Sequence, residues 1–479
     1  MDQSPSSALP KPETKTLPFT TKFTYGLGEL SAAIPGNILS FFFLFFLTNI
    51  AGLSASKAGT VMLISKAWDA INDPLIGWLS DHTRSPWGRR YPWIVCGAVP
   101  LGLFFMLLWI VPTFSQDATL NQQALFGYYG VLGVLFYAAF TSVLLPFSAL
   151  APELTQDYHE RTSLISFKSA FSVGGAILAL VLAQVIFSVV EHPSQKYLVL
   201  GIVCATCAVV SAYVSVLGTH RVVLNQQEPE TVNESVRPSL PWRSQIGYIF
   251  ANRPFLYVMG IYLCSWLGVQ ITAAILPYFV INWMGLPDHH FTQVAIAVQG
   301  TALAMMFIWS FVSKRLGKKA VYLIGMPLLI LAEAGLFFLQ PGQVGLLYGL
   351  AVLAGFGIAT AYLIPWSMLP DVVDLDELNS GQRREGIFYG FMVLFQKMGF
   401  AIALFLVGKI LDWAGFISSV AGEPNPVQPE SALFAIRMII GPLPTLILIC
   451  GLVFSYFYPI TREVHVQILH QLWERNHQS

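Results

Sequence analysis

Asp69 and Asp73 stand four residues apart within Ala58–Ser80, a stretch otherwise apolar enough to lie in a lipid bilayer. A carboxylate at that depth is disfavoured by several kcal/mol unless it faces protein, water or a bound cation. Spacing of i, i+4 puts both acids on one helix face, about one turn apart. Asn72 lies beside them, and Lys66 is the one nearby base. Two acids on one turn need a cation or a proton to relieve their repulsion. The competing reading is a buried ion-pair network that only holds helices together, but desolvation makes such pairs poor stabilisers.

Other residues fall at the same depth. Asp73 is roughly fifteen residues from the outer end of its span, and Thr141 lies about as far into a later span running the same way. Asp69, Asn72, Asp73 and Thr141 therefore offer carboxylate, amide and hydroxyl oxygens to one small hard cation. Such a set suits Na⁺, Li⁺ or a proton-bearing carboxylate and not a transition metal. None of the nine histidines falls in mid-span, so no histidine relay or further metal site is expected. Lys397 is the remaining charge near the middle of a span, in the other half of the chain. Lys168 is left as an interfacial lysine or an internal charge, and Glu333 is expected to reach towards the outer interface.

These residues must be carried by membrane helices. Of 479 residues 55% are hydrophobic and 11% charged, with a mean hydropathy of +0.62. Soluble domains carry about 25% charged residues, and a membrane barrel would show short alternating strands. About twelve apolar stretches are long enough to span. The expected organisation is a tail at 1–22, a six-helix bundle at 23–218, a polar linker at 219–244, a second six-helix bundle at 245–460 and a tail at 461–479. Arg84, Arg89, Arg90, Arg161, Lys314, Arg315, Lys318, Lys319, Arg383 and Arg384 all fall in one set of loops. That bias predicts a multi-pass protein of the plasma or inner membrane with both termini cytosolic. Zero net charge gives no sign of a nucleic-acid partner. Cys204 and Cys207 form a C-x-x-C inside an apolar span, where packing is the expected role.

Gly77–Arg90, with Asp81, Arg84, Gly88, Arg89 and Arg90, and Ser313–Lys319 are glycine-containing basic turns at matching places in the two halves. In this the chain resembles the major facilitator superfamily, which implies an all-α membrane fold of about twelve helices in two six-helix halves. The segment Trp68-Asp69-Ala70-Ile71-Asn72-Asp73-Pro74 followed by Thr83–Trp93 is similar to the glycoside–pentoside–hexuronide:cation symporters, the melibiose permease family. Tyr25-Gly26-Leu27-Gly28, Pro146-Phe147, Glu160-Arg161, Pro370–Asp374 and Lys397-Met398-Gly399 extend the likeness. The resemblance implies that Asp69, Asn72, Asp73 and Thr141 bind the coupling cation and that Lys397 couples it to the solute.

The solute side departs from that pattern. The family's galactoside-gripping acids fall on Ala33 and Leu144, a stacking tryptophan on Ser148 and a further one on Tyr362, close to Trp366. Melibiose itself is therefore not expected. Thr360–Asp374 is also close to the sodium-dependent lysophosphatidylcholine symporters. The expected function is cation-coupled symport of a sugar or glycoside by alternating access, with a lysophospholipid or other amphipathic lipid as the alternative. A scramblase or receptor on the same fold is the rival class. The expected partners are a small-molecule solute and membrane lipid, with a monomer as the working unit and no cofactor beyond the ion. No nucleophile grouping or metal cluster suggests an enzyme. Asp81, Arg84, Arg89 and Arg90 in one loop, and Asp371, Asp374, Arg383 and Arg384 in another, are expected to form salt bridges between the halves. Those bridges would hold the cytosolic side shut while the cavity faces out, each contributing ~0–1 kcal/mol.

Overall fold

The structure, a computed structural model, describes residues 16–155, 157–226, 242–382, 384–420 and 426–478. In chain order its long helices are α1 (Phe19–Asn49), α2 (Ala55–Asp81), α3 (Tyr91–Leu107), α4 (Ala118–Ser148), α5 (Tyr158–Val189) and α6 (Pro193–Gln226). The second set is α7 (Arg253–Trp283), α8 (Asp288–Leu316), α9 (Lys318–Phe338), α10 (Val344–Ser380), α11 (Glu385–Trp413) and α12 (Glu430–Phe457). Ten of these are long and apolar enough to cross a membrane. The other two are α3, at 17 residues, and α2, whose apolar run is interrupted by Lys57, Lys66, Asp69 and Asp73. Two of the residues that lower its hydropathy, Asp69 and Asp73, belong to the candidate site.

Local chemistry sets the ends. Asp117 caps α4 by accepting from the Thr119 and Leu120 amides at 2.8 and 3.0 Å, and Asn252 caps α7 through Phe255 at 3.0 Å. Gly381, at φ +71°, closes α10 in the left-handed region that favours glycine.

Several expected boundaries move. Helix α10 runs to Ser380, so Asp371 and Asp374 lie in its last turns and not in a loop. Helix α6 continues through Thr219, which is fully buried, to Gln226, so the first residues of the expected linker are helical. Residues 461–479 were expected to be a tail; Arg462–Gln478 is a helix, α13, that packs against α10 through Ile468 and Leu472. Most of the linker (227–241), the first fifteen residues and Arg383 lie outside the described residues.

The same packing pairs recur six helices apart. Helix α2 packs on α4 as α8 does on α10, α3 on α4 as α9 on α10, and α1 on α6 as α7 on α12. Between the halves the main contacts are α2 with α11 and α5 with α8, which exchange under the same repeat. Both contacts seal the end of the molecule away from the basic loops. There the Ser419 amide donates to the Thr48 carbonyl at 3.1 Å, Ser418 to the Leu53 carbonyl at 2.9 Å, and Lys196 pairs with Asp288 at 2.6 Å. Gly59 of α2 and Gly408 of α11 let the backbones touch: a Cβ on Gly59 would lie 3.0 Å from the Phe405 carbonyl oxygen and 3.2 Å from the Gly408 Cα. One apolar core runs through both halves at this end, whereas the basic end of the second half keeps a separate core around Tyr262, Tyr322 and Met326.

Candidate cation-binding and coupling site

The paired acids emerge on the inner face of α2, as their spacing requires. Asp69 is buried, Asp73 a turn further on is half-buried, and Thr141 of α4 is buried between them. The Thr141 hydroxyl lies 3.2 Å from Asp69 Oδ1 and 3.2 Å from Asp73 Oδ1. Pro74 follows Asp73 within the helix; lacking an N–H, it leaves the Ala70 carbonyl without its helical donor. Asn72 is buried, and its amide nitrogen has no hydrogen-bond partner.

Lys397 of α11 reaches in from the other half. Its ammonium donates to Asp69 Oδ1 at 2.9 Å and to Asp73 Oδ2 at 2.6 Å, bridging the two acids. Side-chain exposures of 19% for Lys397 and 25% for Asp73 mean this centre is not sealed by packing, unlike Asp69 at 2%. The ammonium stands where a monovalent cation would sit against the same oxygens. Lys66, on the same helix, turns away to lie 4.4 Å from the Tyr137 ring centre and 5.3 Å from that of Phe400.

The expected solute residues fall into two groups. Ala33 packs against Gly175 of α5. Ser148 accepts from Lys168 at 2.9 Å, and Lys168 lies 3.7 Å from Glu29 of α1. The sequence left Lys168 undecided; the structure turns it inward onto Ser148 and the Phe147 ring. Leu144 is half-buried one turn away. In the other half Trp366 packs on Tyr262 at 5.3 Å between ring centres, and Tyr362 on Trp266 at 5.9 Å. Among the described residues no hydrogen bond joins the two groups. Glu333 does not reach the interface as expected: it is 1% exposed inside the second half.

The inter-half salt bridges expected while the cavity faces out are not formed in this conformation. Arg90 pairs with Asp81 and, at 3.4 Å, with Glu153, to which Arg89 donates at 2.7 Å. Lys318 pairs with Asp371 at 2.7 Å, and His465 of α13 lies 3.1 Å from Asp374. Arg384 stacks 4.3 Å from the Tyr248 ring centre, and Arg84 is exposed. Among the described residues these ion pairs each stay within one half. The basic turn after α2 is tied to the segment after α4, and the turn after α8 to the end of α10, again six helices apart. The end sealed by contacts between the halves is the opposite one.

A family model described as "MFS/sugar transport protein" matches residues 24–462. An uncharacterized symporter of Synechocystis is 45% identical, over 96% of this chain and 97% of that protein. The human sodium-dependent lysophosphatidylcholine symporter 1 is 26% identical over 95% and 88%, and the isoprimeverose transporter of Lactiplantibacillus pentosus 26% over 91% and 86%. Among solved structures, a nucleoside transporter, NupG, superposes with a TM-score of 0.63 at 14% identity, covering 92% of this chain and all of that one.

Proposed function

The chain belongs to the MFS/sugar transport protein family and is a symporter of the major facilitator fold, and from that premise we propose that Na⁺ drives its uptake of a sugar or glycoside. The observation that carries the proposal is the Asp69–Thr141–Asp73 oxygen cluster bridged by Lys397 across the halves. In this conformation Lys397 pairs with both acids, its single charge shared between them. Na⁺ enters by displacing the ammonium, and Asn72 and the Ala70 carbonyl supply further oxygens, a coordination suited to a hard monovalent ion. The freed Lys397 withdraws and loosens the α2–α11 contact. Solute binds between Ser148–Lys168 on one side and Tyr362–Trp366 on the other, and the loaded halves rock about that midplane site.

We place the basic end in the cytosol, with both termini, on the bias of Arg and Lys between the two sets of loops. The conformation is then inward-facing: the outer end is sealed by α2–α11 and α5–α8, while Arg89, Arg90, Lys318 and Asp371 flank a cytosolic opening. In the outward-facing state these groups exchange their partners across the halves and act as the gate. A lysolipid or another amphipathic solute is the second reading. It is favoured by Ala33 and Leu144, which offer a solute no hydrogen bonds, and by the relative named for lysophosphatidylcholine. The test is thermal unfolding of the purified protein with panels of sugars and lysolipids, in NaCl and in choline chloride. Stabilisation that needs both Na⁺ and one panel supports the proposal. Solute binding indifferent to Na⁺ refutes the coupling.

A further inference from the structure

A cavity of about 60 Å³ lies within the second half, lined by Thr272, Gln299, Glu333 and Tyr362 and walled on one side by Asn37 and Phe41 of α1. That volume holds a few waters, each needing roughly 10–15 Å³. Glu333 projects into it. Thr272 donates to Glu333 Oε1 at 2.9 Å, while Oε2 is buried and has no hydrogen-bond partner. No described base answers its charge. Helix α7 presents Thr272, α8 Gln299, α10 Tyr362 and α1 Asn37. Arg437 of α12 is committed elsewhere: it donates to the Phe337 carbonyl at 2.6 Å and lies over the Trp283 and Phe337 rings.

An ionised, unpaired carboxylate in such a place is strongly disfavoured. A metal ion does not meet the need as the side chains stand, because of the oxygens that line the cavity only the Thr272 hydroxyl is within hydrogen-bond distance of the carboxylate. A proton does. We infer that Glu333 is a proton-binding site separate from the Asp69–Asp73–Lys397 centre. When the cavity is shut, Oε2 carries the hydrogen. When the halves part, α1 withdraws its wall, water enters, and the proton passes from Oε2 to water, leaving a carboxylate that Thr272 continues to stabilise. Reloading runs the reverse transfer from hydronium. Because one wall belongs to the other half, the loading of this acid is tied to the conformational cycle.

The test is infrared spectroscopy of purified protein near neutral pH, following the C=O stretch of protonated carboxylic acids. Wild type and Asp69→Asn should both show a band that is lost in Glu333→Gln; an unchanged band in Glu333→Gln overturns the assignment. Should Glu333→Gln fail to fold, Thr272→Val serves instead. Removing the hydrogen bond to Oε1 shifts that band to higher frequency, and a band that does not move overturns the proposal. Exchanging choline chloride for NaCl should leave the band in place. Its loss in NaCl would mean that Glu333 takes the metal ion, which also refutes a proton site. A wild-type protein whose stability ignores Na⁺ would undermine the coupling proposed above while leaving this band untouched.

Discussion

Replacing Lys397 with alanine should make the protein less stable without Na⁺ and bind Na⁺ more tightly. The ammonium lies 2.9 Å from one carboxylate and 2.6 Å from the other. Removing one partner of a buried ion pair costs ~3–5 kcal/mol, because the remaining charge is left uncompensated. Lys397 and Asp73 are 19% and 25% exposed, so water screens part of that loss and about 2 kcal/mol is expected. The same term opposes Na⁺ in wild type, since the ion must displace the lysine. With the competitor gone, about 2 kcal/mol of site repulsion becomes available to the ion, a gain of roughly tenfold to thirtyfold in affinity. The assay is thermal unfolding across a NaCl titration, with choline chloride holding ionic strength. Lys397→Ala should start lower, gain more from Na⁺ and reach its half-maximal shift at a Na⁺ concentration at least about tenfold lower. A Na⁺ midpoint equal to wild type, or a lost Na⁺ response, would show that the lysine organises the site and does not compete with the ion.

Asp73→Cys should abolish Na⁺-dependent stabilisation while the protein still reaches the membrane at normal levels; a retained response in NaCl removes Asp73 from the ion site. Gly408→Val would drive a side chain into the α2 backbone, so it should favour opening of the sealed end. Spin-label distances across that end should lengthen, and unchanged distances would mean that close glycine packing does not control the seal. Tyr362→Ala, which empties one face of the α7–α10 aromatic cluster, should weaken solute-dependent stabilisation by about 1–3 kcal/mol in affinity terms without moving the Na⁺ midpoint. A shifted Na⁺ midpoint would place Tyr362 in the ion site instead.

The fold was legible because apolar length and the placement of Arg and Lys are one-dimensional signals. The clustering of the candidate site was legible for a related reason: i, i+4 spacing fixes Asp69 and Asp73 to one face, and depth counting brought Thr141 level with them. What failed depended on side-chain direction. Glu333 lies near a span end, where snorkelling is the ordinary expectation, yet it is buried inside the second half, and Lys168, left open by the sequence, turns inward as well. Apolar length also could not reveal that α10 keeps its helix through Pro365 and Pro370 to Ser380, or that His465 would dock α13 against Asp374. Partner choice within the basic loops depended on which end was open, and a sequence does not contain that choice.

The placement of Lys397 also joins two tasks in one atom. Asp69, Asp73 and Thr141 belong to the first half and the lysine to the second, so the ion pair is an inter-half tie as well as a charge balance. It sits further along α2 and α11 than the glycine seam of the closed end, towards the basic loops. An ion that competes for the acids therefore acts on the interface that must move. Linkage then requires the reverse: a conformation that pulls Lys397 from the acids must raise their affinity for the ion by the same factor, typically 1–3 kcal/mol. If Na⁺ and an opened outer end did not favour each other in spin-label distances, this coupling through one lysine would be wrong even with every side chain correctly placed.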